Sequence, residues 1–192
     1  MQVLSQFGIL QKRDLPAVTQ SVDLDREEGR EFAGDVLRHL RNVAGWVGRV
    51  HQFNPRVSRG IAAPQLGICY KIAIVSRPDV PDGYLELINP RVVEVTNEEV
   101  ADYEGCLSFF DVRGRLLRPY GMKVSLDGRS EPRVFTGSLA RSIAHEIDHL
   151  NGKVYTDRAL MPPIPVAEYQ RMREENRIAA APVPSRLTWL VL

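Results

Sequence analysis

Two of the chain's four histidines stand four positions apart in HEIDHLNG, residues 145–152, with a glutamate beside the first. On a helix, positions i and i+4 lie one turn apart on the same face, so His145 and His149 can reach one ion at about 2.0–2.1 Å if it is zinc-like. Glu146, following the first ligand, can then act on water as a general base. The surrounding run SLARSIAHEIDHL predicts a helix with two unlike sides. Leu139, Ile143, Ile147 and Leu150 share one arc of about 80°, and Ser142, His145, Glu146 and His149 share another. A solvated helix with two surface histidines is the plain alternative, and the apolar flank weighs against it. The pattern predicts a helix sandwiched between layers, its polar face lining a cleft.

Two histidines do not complete a catalytic metal site, which usually takes three protein ligands and keeps a position open. The zinc-peptidase pattern H-E-x-x-H-x-x-G-x-x-H holds as far as Gly152 and then meets Tyr155 where its third histidine is required. Glu168, nineteen residues past His149, stays open on spacing alone. Upstream, EGCLS at 104–108 places Cys106 after a glycine, in a segment that breaks the strand pattern. A thiolate with two imidazoles suits iron or zinc. Taken alone, Cys106 reads better as a buried structural thiol, and Cys69, in the apolar run GICYKIAIVS, reads as that plain case.

Taken together, GIAAPQLG at 60–67, EGCLS at 104–108 and HEIDHLNG at 145–152 resemble the three signature motifs of the peptide deformylases, in that family's order. The likeness runs from about residue 7 through Tyr155. It implies an α+β fold, with antiparallel β-sheets around a central helix that carries the two histidines. It implies Fe²⁺ held by Cys106, His145 and His149, with Zn²⁺, Ni²⁺ or Co²⁺ as substitutes, and so favours Cys106 over Glu168. Glu146 would be the acid–base group, and Gln65 with the backbone N–H of Leu107 the oxyanion site. Backbone groups around Gly60 and Gly105 would hold the substrate extended. The implied reaction is metal-dependent removal of formyl from the N-terminal formyl-methionine of nascent polypeptides, leaving formate and a free N-terminus. For Gln65 alone, a turn-stabilising role stands beside the oxyanion role.

Some positions depart from the family pattern. Ser58 stands where the first motif usually has glycine, and Ala144 where glutamine is common, though Ala144 lies off the ligand arc. Phe110 replaces a common proline in a region expected to border the pocket for the first side chain. Methionine preference is therefore implied by the likeness and not by these residues. Asp148 faces away from the histidines and is expected to pair with Arg113, Arg115 or Arg118.

The elements that must position these groups are legible in part. Residues 23–50 predict a helix capped by Asp23 or Asp25, with Phe32, Val36, Leu37, Leu40, Val43 and Val47 at helical spacing. YKIAIVS, YLELINP, RVVEV and MKVSLDG predict mostly antiparallel strands. VAEYQRMREENRI predicts a last exposed helix. It is mixed in sign, so contact there with the ribosome, near which family members can act, has little support. The tail from about 179 has no usable periodicity, and TWLVL would either pack back or mediate association. At 192 residues, with no repeat, the chain is expected to be a single catalytic domain. Its 25 Lys+Arg against 24 Asp+Glu give a charge of +1, which argues against direct nucleic-acid binding. Lys12, Arg13 and Asp14 interrupt any signal-like run and no stretch approaches membrane-span length, so no membrane association and a cytoplasmic location are expected. Two cysteines in unlike settings make a disulfide framework improbable.

Overall fold

A computed structural model describes residues 9–10, 14–16, 18–50, 60–77, 79–80 and 83–192. Helix α1 (Glu27–Val50) is followed by β1 (Gly60–Ala62), a 3-10 turn (Ala63–Leu66), β2 (Ile72–Ser76), β3 (Tyr84–Ile88) and β4 (Arg91–Thr96). Then come β5 (Glu99–Cys106), β6 (Phe109–Pro119), β7 (Gly121–Ser125), β8 (Arg133–Thr136) and α2 (Gly137–Leu150). The chain ends with β9 (Ile164–Pro165), α3 (Val166–Glu174) and β10 (Trp189–Val191). The strands form three sheets, β1-β2-β3, β10-β4-β7-β8 and β5-β6-β9, and all their pairings are antiparallel.

Helix α2 lies among these sheets, touching β1, β2, β6, β7 and β8. Its apolar side packs Ala140, Ile143 and Leu150 against Val75, Leu87, Met122 and Phe135, with Ala144 beside them. Its polar side is buried as well, through His145, Glu146, Asp148 and His149. That double burial is the sandwiching expected from the two arcs. The helix starts where β8 turns through Gly137 (φ 59°) and stops at Gly152 (φ 68°), two left-handed positions where glycine carries no Cβ penalty.

The apolar stripe of α1 buries Val36, Leu37, Leu40, Val43 and Val47 against Ile61, Ile72 and Ile74. Phe32 departs from the expected stripe: it is 36% exposed and meets Tyr70 edge-on at 4.7 Å between ring centroids. Asp23 and Asp25 precede the helix without capping it. The Asp23 carboxylate accepts the Asp25 N–H at 3.1 Å, and Asp25 pairs with Arg129 at 2.7 Å.

Two expectations need correction. EGCLS does not break the strand pattern: its first three residues end β5, which pairs with β6 from Glu99↔Pro119 to Cys106↔Phe109, with a register shift between Glu104 and Cys106. The strand escapes a hydropathy reading because its inward positions include the charged Glu104. Cys69 is exposed and not a buried thiol, because it sits in the turn between Gly67 and β2, ahead of the apolar strand. The C-terminal residues pack back: Trp189–Val191 pairs with Thr96–Glu94 of β4. Residues 179–188 form no helix or strand, and α3 buries no residue. Among the described residues no helix is long and apolar enough to cross a membrane.

Candidate metal centre

Cys106 ends β5 facing α2, and its Sγ lies 3.2 Å from His149 Nε2. The ligand atoms of Cys106, His145 and His149 all lie within 4.8 Å of one another, close enough to share one ion. Burial alone would push the Cys106 thiol up, but the His149 and His145 rings beside it hold it well below the ordinary thiol range. A thiolate and two imidazoles in one buried cluster fit a borderline metal such as iron or zinc. Glu168, the other third ligand considered, stands on α3 outside this cluster.

The histidine orientation comes from Glu104, a carboxylate of EGCLS whose role the motif alone does not reveal. Glu104 Oε2 lies 2.9 Å from His145 Nδ1, which leaves Nε2 for the ion. Arg118 grips both Glu104 oxygens, at 2.6 and 2.9 Å, and donates to Asp148 at 2.8 Å. Arg141 also donates to Glu104, at 2.8 Å. The partner of Asp148 is thus Arg118, seconded by Arg158 at 3.4 Å, and not Arg113 or Arg115. Alternation along a recognised β5 would have exposed Glu104, which lies two residues from Cys106.

Gln65 sits in the 3-10 turn, where its Oε1 accepts the Ala62 N–H at 2.9 Å. Its Nε2 is thereby aimed at the cluster, 3.3 Å from Cys106 Sγ and 3.2 Å from Ser108 Oγ. The turn-holding role and the site-facing role belong to opposite ends of one amide. Glu146 is buried, its Oε2 has no hydrogen-bond partner among the described residues, and burial pushes its carboxyl up to about 7 against the pull of the two imidazoles. A Cβ on Gly60 would fall 2.5 Å from Glu146 Oε1, so β1 approaches the carboxylate closely only because residue 60 is glycine.

A cleft of about 290 Å³ opens from the cluster, with Gly60, Gln65, Gly105, Leu107 and Glu146 on its walls. Tyr155, at the position where the peptidase pattern wants a histidine, is buried beside His145 with 5.8 Å between ring centroids. Two departures from the family pattern are placed differently from expectation or not at all. Phe110 packs against the α1 core and does not line the cleft, while Ser58 lies outside the described residues.

Residues 8–162 match the family model described as Polypeptide deformylase. A peptide deformylase of Thermoanaerobacter pseudethanolicus is 43% identical over 129 residues, 66% of this chain and 77% of that protein. One from Carboxydothermus hydrogenoformans is 38% identical over 133 residues, 68% of this chain and 81% of that protein. Among solved structures, the Met-Ala-Ser-bound class I type b peptide deformylase from Acinetobacter baumannii superposes with a TM-score of 0.58 at 28% identity, covering 78% of this chain and 96% of that one. A match over most of the chain, to a family whose metal chemistry the Cys106, His145 and His149 cluster suits, shows that the chain belongs to the polypeptide deformylase family, the metalloenzymes that hydrolyse formyl from polypeptide N-termini.

Proposed function

We propose that this deformylase holds Fe²⁺ with Cys106, His145 and His149 and works through Glu146, Gln65 and the backbone N–H of Leu107. A dication bound there supplies Lewis-acid activation of water and of the formyl oxygen. Glu146 takes the water's proton. The observation that carries this role is its buried Oε2, left without a partner at the edge of the ligand cluster, on a carboxyl raised to about 7 where it can both accept and return a proton near neutrality. Charge developing on the formyl oxygen is met by the Gln65 amide, held in place through Ala62, and by the Leu107 N–H. The peptide lies extended along Gly60 and Gly105. Glu146 then returns the proton to the leaving amine, giving formate and a free N-terminus.

The substrates are the formylated N-termini of nascent chains, which puts the enzyme in the cytoplasm, and residues 1–192 act as one catalytic domain. Contact with the ribosome through α3 has only that helix's exposure in its support. The test is anaerobic formate release from a formyl-Met peptide, with metal content measured on the same sample; stoichiometric metal without formate would end the reading.

Iron rests on the family likeness, since the ligand set also suits zinc. An oxidisable ion beside an oxidisable thiolate should make the enzyme from iron-replete cells lose activity in air, keep it anaerobically, and become durable with Ni²⁺. Fully active protein isolated anaerobically with stoichiometric zinc and indifferent to added iron would remove iron and leave the deformylase.

A further inference from the structure

The 3-10 turn that carries Gln65 is only four residues long, and it closes through the Gly67 N–H on the Pro64 carbonyl and the Ile68 N–H on the Ala63 carbonyl, both at 3.1 Å. Those bonds leave the Gln65 carbonyl open, as the last carbonyls of a short helical turn are. A residue far upstream fills the position: the Leu10 N–H donates to the Gln65 carbonyl at 2.7 Å. The Leu10 side chain also lies over the end of the turn, its Cδ1 3.8 Å from where a Cβ on Gly67 would stand. Leu10 thus closes the turn from outside, by main chain and side chain together.

The segment is itself fixed. Ile9 is buried in the α1 core, in the same apolar cluster as Ala63, the first residue of the turn. Neither Ile9 nor Leu10 is among the residues that line the cleft, so any influence on the reaction must pass through the turn. Ala62 and Ser108 set the rotation of the Gln65 amide, at 2.9 and 3.2 Å, but they grip only the end of a flexible side chain. Where that amide stands relative to the metal ligands depends on the Gln65 main chain, and that is what Leu10 holds.

Building on the deformylase reading, we propose that Leu10, through its backbone N–H, is a positioning residue for the Gln65 amide. The substrate main chain lies along Gly60 and Gly105, on strands whose pairing does not involve Leu10, so binding of the ground state should not depend on this contact. The Gln65 amide acts on charge that develops later, and its contribution falls steeply with displacement. A misplacement of about 1 Å can cost about 10²-fold. Release of the turn should therefore lower kcat and leave KM nearly unchanged.

Leu10→Pro removes the N–H and keeps an apolar side chain; Leu10→Ala keeps the N–H. On anaerobic, metal-replete enzyme with formyl-Met-Ala-Ser, kcat per folded molecule should fall about tenfold in Leu10→Pro, with KM and metal content little changed, and much less in Leu10→Ala. In a Gln65→Ala background the same change should cost no further kcat, since no amide remains to be aimed. If proline does not allow folding, an amide-to-ester replacement at residue 10 removes the same N–H without restricting the backbone, and the same outcomes decide. An equal loss in both backgrounds, or a lower melting temperature with unchanged kcat per folded molecule, overturns the inference and leaves the deformylase standing. No formate from the unaltered enzyme with stoichiometric metal overturns both.

Discussion

Glu146 differs from the other acidic groups of the site in having a buried carboxylate oxygen with no partner among the described residues, whereas both oxygens of Glu104 are engaged by arginine or histidine. Glu146→Gln keeps the shape and removes the proposed base, so metal content should stay stoichiometric while turnover falls about 10²–10⁴-fold. Retention of most formate release would take Glu146 out of the mechanism. Gln65→Ala removes an amide that points Nε2 at the cluster and holds Ala62 with Oε1. If the amide is the proposed donor to developing charge, kcat should fall by about 10²–10³-fold with little change in KM. A drop in melting temperature with near-normal kcat would instead make Gln65 a turn-holding residue only. At this scale the sequence was most informative, because each of these groups belongs to a short motif whose residue types and spacing are set by chemistry.

At the scale of elements, the long α1 stripe and the two arcs of α2 were readable from period alone, as were the four apolar strands. The β5–β6 hairpin was not, because it carries Glu104, Arg113 and Arg118 on buried positions and so reads as polar. Glu104 and Arg118 are tolerated because they pair across elements: Arg118 of β6 joins Glu104 of β5 to Asp148 of α2, and Arg141 of α2 returns to Glu104, while Arg113 donates to the Phe110 and Val112 carbonyls of its own strand. No local pattern encodes such a partnership. Glu104→Gln would leave the buried Arg118 and the half-buried Arg141 short of charge compensation, a loss of about 3–5 kcal/mol for a broken buried pair. It should also weaken metal binding about 10–100-fold by freeing the His145 ring, measured by chelator competition. Burial would raise the Glu104 carboxyl, but Arg118 and His145 outweigh this and hold it well below its ordinary 4.5. A depressed carboxyl stabilises the fold above its unfolded pKa and loses that contribution as pH falls through the folded value. The wild type should therefore lose stability below about pH 4.5 more steeply than Glu104→Gln; parallel acid-unfolding curves for the two would show that the pair contributes little.

The whole molecule sets two kinds of surface around α2: the cleft, where the edges of β1 and β5 face the histidines, and the β10-β4-β7-β8 sheet, which supports the helix from its apolar side. Strand β10 belongs to the second kind. Trp189 pairs with Thr96, its ring lies under Lys123 Nζ at 5.1 Å, and the preceding Thr188 donates its N–H to Glu98 at 2.9 Å. No residue of β4 or β10 lines the cleft. Sequence could not choose between packing back and association for this tail, because three residues of strand carry no period and their partner lies about ninety positions earlier. Removal of residues 189–192 strips a half-buried indole from the sheet, a loss of about 1–2 kcal/mol. At about 2–4 °C per kcal/mol for a chain of this size, the melting temperature should fall by about 2–8 °C. The uncovered β4 edge should also promote concentration-dependent association, the usual liability of an unprotected strand. Formate release per folded molecule should stay within about twofold, the ordinary range for a change remote from the reacting groups. Thermal scans, light scattering and activity on one truncated sample decide it: an unchanged melting temperature with collapsed activity would move the C-terminal strand from support of the sheet to a part in the site.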